Sequence, residues 1–185
     1  MIIEPYFYLI AIVSVFLHGM GKGGFIGAGS FGSLLAIPML SIFIPPFQAV
    51  AILLLPLIFM DLVTVWRYRN MWDIKILKFI VPLAFVGIIL GTLSFSYLSE
   101  DSVRVIIGMM AVIFCLDYYL RENSSEPSKP SKWGSYFWPS LSGFTSFSIH
   151  AGGIPLSFYL LPMRLDRRIY VATAGLFYLL INLFK

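Results

Sequence analysis

The sequence has little charge and almost no cysteine. Only 12% of its 185 residues are charged, whereas soluble domains carry about 25%. Hydrophobic residues make up 59% of the chain, which is more apolar surface than a soluble fold of this length can bury. The single cysteine, Cys115, excludes an internal disulfide and a cysteine-based metal site. The composition therefore predicts an all-α protein integral to a membrane.

Signatures of enzymatic and nucleic-acid-binding proteins are also missing. The chain has no GxSxG, HExxH or GxxxxGK[ST] segment, and no carboxylates paired at metal-binding spacing. The net charge of +4 comes from basic residues in short loops between apolar runs, which is the usual pattern of a topology signal. We therefore expect no catalytic residue, metal, cofactor or nucleic-acid partner.

The apolar runs are long enough for about six or seven transmembrane helices of about 20 residues each. The N-terminus lacks the basic region of a signal peptide, so we keep it in the mature protein. Gly87 and Gly91, four residues apart, are typical of close helix packing. The main runs cover residues 5–17, 25–44, 47–66, 79–98, 105–120, 133–149, 154–161 and 169–184.

One polar segment, residues 121–132, divides the chain because its serines, prolines and charges cannot bury enough surface to fold alone. This predicts a first membrane half at 1–120 and a shorter second half at 133–185. The basic loops at 67–78 and 164–168 favour the cytoplasm. Placing residues 67–78 inside puts Glu100 and Asp101 outside.

Two Gly-rich segments interrupt the apolar runs at matching places. Gly29 precedes Pro38, and Gly153 precedes Pro162, by the same nine positions. Broken helices at matching positions of two repeats form substrate sites near the bilayer midplane in transporters. We therefore predict that both segments are non-helical or kinked and meet near that plane, the alternative being close helix packing by glycine. The candidate substrate-binding residues are His18, Gly21, Lys22, Gly23, Gly24, His150, Gly152 and Gly153.

Lys22 is the strongest candidate among these residues for binding an anion. Together with the flanking glycine N–H groups and the N-terminus of a helix predicted to start near Phe25, its ammonium could hold an anion. The alternative is a topology anchor. His18 and His150 titrate near neutral pH and could couple proton movement to transport, or each could simply bond a backbone group.

Asp61 and Asn182 are polar residues within spanning runs. Carboxylates inside a membrane usually mark ion or proton paths, so we assign both residues to a coupling or polar path. The alternatives are that Asp61 pairs near the interface and that Asn182 bonds a neighbouring helix.

These motifs resemble the TauE/SafE sulfite exporter family. The resemblance rests on Gly21-Lys22-Gly23-Gly24, the Gly-rich stretch to Pro38, and His150-Ala151-Gly152-Gly153 followed by Pro162, and it covers most of the chain. It implies a multi-pass permease of a prokaryotic cell membrane with two repeated halves. Family members usually continue with further helices, so the second half is expected to be short, and the chain to be a fragment or to complete itself as a homo-oligomer.

The leading hypothesis is a secondary transporter or exporter of small anions, with sulfite or organosulfur anions implied by the resemblance. One alternative is a non-transporting membrane scaffold, or an incomplete fragment that needs a partner. A second is an intramembrane enzyme, which would need acids and histidines clustered at the membrane boundary. The partners expected for the leading hypothesis are the lipid bilayer and a small anionic solute.

Overall fold

The computed structural model describes residues 5–22, 35–94, 97, 99, 101–102, 105, 108–109, 112–113, 116, 119 and 131–185. These residues form helices and connecting turns, with no strand among them, so the all-α prediction is confirmed for this part of the chain. A short helical segment at 35–40 and a 3₁₀ turn at Leu161–Met163 accompany six longer helices. These are α1 (Pro5–Lys22), α2 (Pro46–Arg67), α3 (Ile74–Ser94), α4 (Lys132–Ile149), α5 (Gly153–Leu160) and α6 (Arg167–Phe184).

Two of the described helices are long and apolar enough to cross a membrane. They cover Gln48–Arg67 in α2 and Ile74–Ser94 in α3, each with a mean hydropathy of 2.3. Shorter apolar helices cover Tyr6–Met20 and Gly153–Met163. The expected total of six or seven transmembrane helices stays a prediction.

The start of α3 differs from the sequence prediction. The helix begins at Ile74 and not at Phe79, so Lys75 and Lys78, which had been assigned to the preceding loop, are helical. The cause is Asp73, whose carboxylate Oδ1 accepts the backbone N–H of Lys75 at 2.8 Å and of Ile76 at 3.1 Å. Such a side chain satisfies N–H groups that the first helical turn leaves unpaired.

The first Gly-rich segment also differs from its prediction. Helix α1 continues through His18 to Lys22, so the predicted break is wrong for this part of the segment. A glycine inside a helix costs only about 1 kcal/mol relative to alanine, whereas each unsatisfied backbone group in lipid costs several. Continuing the helix is therefore the cheaper solution. Gly23 and Gly24 lie outside the described residues.

The second Gly-rich segment is a true helix break. His150 ends α4 in the left-handed region at φ 51°, and its N–H donates to the carbonyl of Ser146 at 3.2 Å. The Ser142 hydroxyl donates to the carbonyl of Gly152 at 2.7 Å, and a Cβ on Gly152 would lie 2.7 Å from the Ser142 carbonyl oxygen. Only glycine fits at position 152, and α5 starts immediately after it.

The described helices belong to two compact units. The first contains residues 1–77 and 167–185, where α2 packs against both α1 and α6. Gly175 allows α6 to approach α2 closely, because a Cβ there would lie 2.6 Å from Cγ2 of Thr64. The Asp73 N–H also donates to Oγ1 of Thr173 at 2.9 Å, which ties the end of the α2–α3 loop to α6.

The second unit contains residues 78–166, where α4 packs against α5. Helices α3 and α4 cross within it at Gly87 and Gly143. A Cβ on Gly143 would lie 2.8 Å from Cα of Ala84, and one on Gly87 would lie 2.8 Å from the backbone nitrogen of Phe144. The predicted packing role of Gly87 is confirmed. The division into membrane halves at 1–120 and 133–185 stays a prediction.

The predicted topology can be tested by cysteine labelling, after Cys115 is replaced by alanine. A cysteine at the exposed Arg69 should resist an impermeant maleimide in intact cells, because the basic loop is expected inside. Asn70 is less suitable, because its backbone φ of 67° would strain a cysteine placed at that position. A cysteine at Asp101, beyond the other end of α3, is the control and should label readily. Labelling only at position 69 would reverse the assigned orientation.

Candidate functional site

A line of polar side chains runs along one face of α1. Ser14, His18 and Lys22 are four residues apart, which places them on the same side of the helix. Ser14 and His18 are buried, and Lys22 retains only 13% of its side-chain exposure. The rest of α1 is almost entirely apolar, so these side chains form its polar face inside the first unit.

Lys22 forms an ion pair with Asp61 of α2. The Lys22 ammonium donates to Oδ1 of Asp61, although the two residues are 39 positions apart in the chain. The Asp61 side chain is 0% exposed. Asp61 therefore pairs with a cation inside the first unit, and its assignment to a coupling or polar path stays a prediction.

Asn182 of α6 completes the coordination of the carboxylate. Its Nδ2 donates to the second oxygen of Asp61, Oδ2, at 2.7 Å. Its Oδ1 accepts from the ammonium of Lys185 at 3.0 Å. We call Lys22, Asp61, Asn182 and Lys185 the polar cluster. Both oxygens of the Asp61 carboxylate are thus hydrogen-bonded, one by a cation and one by an amide.

An aromatic ring flanks the cluster. The Lys22 ammonium lies 4.8 Å from the centroid of the Tyr178 ring. A cation within about 6 Å of an aromatic face is attracted by the ring quadrupole. Tyr178 therefore gives Lys22 a second stabilising contact, which does not depend on Asp61.

The polar cluster is costly to bury, and stability alone gives little reason to keep it. A buried ion pair often contributes less than well-packed apolar residues of the same volume would. Ionisable residues inside a membrane bundle usually line the path of a substrate or ion. The cluster is therefore the strongest candidate for a functional site in the first unit.

Two further buried atoms point to the same region. Nδ1 of His18 and Oγ of Ser14 have no hydrogen-bond partner among the described residues. Buried polar atoms are usually satisfied by protein or by ordered water, and each exception calls for an explanation. Their place on the polar face of α1, leading to Lys22, is the place where a polar ligand or water would be held.

The candidate residues of the second unit surround the α4–α5 break. His150 caps α4, while Gly152 and Gly153 lead into α5. Buried hydroxyls near the break bond local carbonyls, such as Thr145 to Leu141 at 2.8 Å. These contacts account for the break in structural terms. The prediction that both Gly-rich segments share one site stays a prediction.

Lys22, Asp61 and Asn182 stand out in the sequence as candidate site residues, whereas Tyr178 and Lys185 do not. A signal for Tyr178 was available, because it lies four residues before Asn182 and hence on the same face of α6. Gly21 lies in the last turn of α1. Among the residues that the structure describes, no group of three or more His, Cys, Asp or Glu side chains could hold a metal ion.

Comparison with known proteins gives one match. The family model described as sulfite exporter TauE/SafE matches residues 11–185, which is nearly the whole chain. No curated protein and no solved structure matches the chain.

Proposed function

The chain belongs to the TauE/SafE sulfite exporter family, and from this membership we propose that it is a secondary transporter of a small anion. The members of this family are membrane transporters and not enzymes, so family membership makes the chain a membrane transporter protein. The observation that carries the proposal is Lys22, a cation buried inside an apolar helical unit beside Asp61. A buried cation is what binding an anion within a bilayer requires.

The proposed substrates are sulfite or organosulfur anions, and the proposed location is a prokaryotic cell membrane crossed several times. Lys22 binds the negative oxygens through its ammonium. In the same proposal His18 lines the substrate path in the first unit, and His150, Gly152 and Gly153 stay candidate substrate-binding residues of the second. Asp61 and Asn182 belong to the coupling path.

In the absence of substrate, Asp61 acts as the internal anion that holds Lys22. The Lys22 side chain keeps 13% of its exposure whereas that of Asp61 has none, so Lys22 is the more accessible partner of the pair. An arriving anion would then compete with the carboxylate for the same charge. Such competition makes binding reversible, which a transporter needs in order to release its substrate.

The test is transport by Lys22→Gln in proteoliposomes that contain sulfite or a small sulfonate. Losing a charge-assisted hydrogen bond costs about 1.5–3 kcal/mol, and tenfold in affinity corresponds to about 1.4 kcal/mol. We therefore expect apparent affinity to fall roughly ten- to a hundredfold. Lys22→Arg should keep part of the binding, although the larger planar guanidinium fits a glycine-lined site less well.

Lys75→Gln is the matched control, since it removes a lysine from the exposed first turn of α3. It should transport with unchanged affinity. The amount of folded protein must be measured for every variant, so that a loss of protein is not mistaken for a loss of binding. Unchanged affinity in Lys22→Gln at equal protein level would make Lys22 a topology anchor and contradict the proposal.

A further inference from the structure

In the proposed function two anions, the Asp61 carboxylate and the transported solute, bind the same cation, Lys22. In the structure the ammonium of Lys22 is bound to Asp61. In the proposed function, on which this inference rests, the same ammonium binds the transported anion. Lys22 cannot bind Asp61 and the substrate anion in the same way at once. Whether Asp61 stays ionised or binds a proton when Lys22 binds the substrate therefore determines whether a proton is transported as well.

Asp61 has little other support for a negative charge. Among the residues that the structure describes, Lys22 of α1 and Asn182 of α6 donate to its two oxygens. On its own helix, the nearby hydroxyl of Thr64 donates to the Met60 carbonyl and so does not serve the carboxylate. Once Lys22 turns away, the fully buried carboxylate keeps the hydrogen bond from the neutral Asn182 amide but loses its direct hydrogen bond from a cation.

The other charged or titratable groups described around Asp61 have partners of their own. Lys185 adds a second positive charge to the cluster, and its ammonium donates to Oδ1 of Asn182 at 3.0 Å. Tyr178 of α6 offers its ring face to Lys22, and His18 of α1 lies one turn before Lys22. Burying an uncompensated carboxylate costs far more than burying the neutral acid. The simplest compensation is a proton.

We infer that Asp61 binds one proton for each anion that Lys22 binds, so that the transporter moves the two together. The carboxylate takes its proton from water on the loading side and returns it to water on the releasing side, as Lys22 re-forms the ion pair. The empty cluster holds two ammonium groups, Lys22 and Lys185, and one carboxylate. The loaded cluster holds the same two ammonium groups, a monovalent anion and a neutral acid, so its net charge is the same.

This equality has a measurable consequence. Transport of a monovalent anion should be electroneutral, driven by the gradients of the anion and of pH and insensitive to membrane potential. An outward gradient of an anion made inside the cell is then sufficient for export. If Asp61 cannot ionise, the loaded and empty sites differ by one charge, and transport must respond to potential.

The experiment uses the full chain in proteoliposomes with methanesulfonate, a monovalent anion that has no titratable proton near neutral pH. A pH-sensitive dye inside the vesicles reports proton movement alongside radiolabelled sulfonate. For the unmodified protein we expect one proton per sulfonate in the same direction, and about tenfold accumulation per unit of imposed pH difference. A potential set by potassium and valinomycin should have no effect.

In Asp61→Asn, transport should no longer depend on the pH difference and should depend on the membrane potential. Proton movement should disappear, and accumulation should change about tenfold per 60 mV of imposed potential. Loss of folding cannot mimic this exchange of driving force, and the measurements on the unmodified protein test the inference even if the variant does not fold. Lys75→Gln should behave as the unmodified protein does.

The outcomes separate the two proposals. Sulfonate flux without protons, driven by potential in the unmodified protein, would overturn the coupling and leave the proposed function standing. Absence of any protein-dependent flux of sulfonate and sulfite would overturn the proposed function and the coupling together.

Discussion

Lys22→Gln should lower the free energy of unfolding by about 3–5 kcal/mol, and adding Asp61→Asn should restore most of that loss. Removing one partner of a buried ion pair is this costly because the other charge is left uncompensated. Asp61 is fully buried, so it cannot recover the lost contact from water. In the double variant two amides face each other at the same positions and can hydrogen-bond without any net charge.

The measurement is denaturation in mixed detergent micelles for the unmodified protein, both single variants and the double variant. The coupling between the two positions is then the difference between the double variant and the sum of the singles. Lys75→Gln is the control and should stay within about 0.5 kcal/mol of the unmodified protein. Additive effects at positions 22 and 61 would contradict the ion pair.

The double variant also separates folding from transport. It should be nearly as stable as the unmodified protein, yet it lacks the cation that the proposed function requires. A double variant that is stable but does not transport the anion would show that Lys22 is needed to bind the anion and not only to stabilise the fold. Transport by the double variant at normal affinity would instead limit the ion pair to a structural role.

The sequence predicts several helices closely, for a physical reason. Helices α2, α4 and α6 begin within two residues of their predicted starts, because proline or charge bounds each apolar run. The start of α3 was missed because Asp73 caps the helix and draws two lysines into it. The sequence does not predict that α1 continues to Lys22. Glycines break a helix only where other groups can hydrogen-bond the freed backbone N–H and C=O groups, and the sequence does not show whether such groups are present.

The sequence predicts which residues belong to the candidate site but not which of them contact each other. Lys22, Asp61 and Asn182 each stand out as polar within apolar sequence, which is visible without a structure. Their pairing is not, since Asp61 and Asn182 are 121 positions apart. Periodicity shows which face of one helix is polar but not which helix that face contacts. The packing of α2 against α1 and α6 supplies this information.

Asn182→Leu should lower the free energy of unfolding by about 3 kcal/mol. Leucine has nearly the same size, so the change removes polar groups without leaving a large cavity. The amide makes two bonds to charged groups, donating to Asp61 at 2.7 Å and accepting from Lys185 at 3.0 Å. Each such bond contributes about 1.5–3 kcal/mol, and losing a partner leaves the buried carboxylate oxygen unsatisfied.

The same substitution should cost less in the Lys22→Gln/Asp61→Asn background, about 2 kcal/mol, because only the bond from the Lys185 ammonium is then charge-assisted. There the residue at position 61 is a neutral amide, and hydrogen bonds between neutral groups contribute less than those to a carboxylate. Leu183→Ala, on the exposed side of α6, is the control for a change in that helix and should have a small effect in both backgrounds. If Asn182→Leu cost the same with and without the carboxylate, Asn182 would act through helix packing alone. A cost that follows the charge of Asp61 would make Asn182 a group that stabilises the carboxylate while it is paired with Lys22.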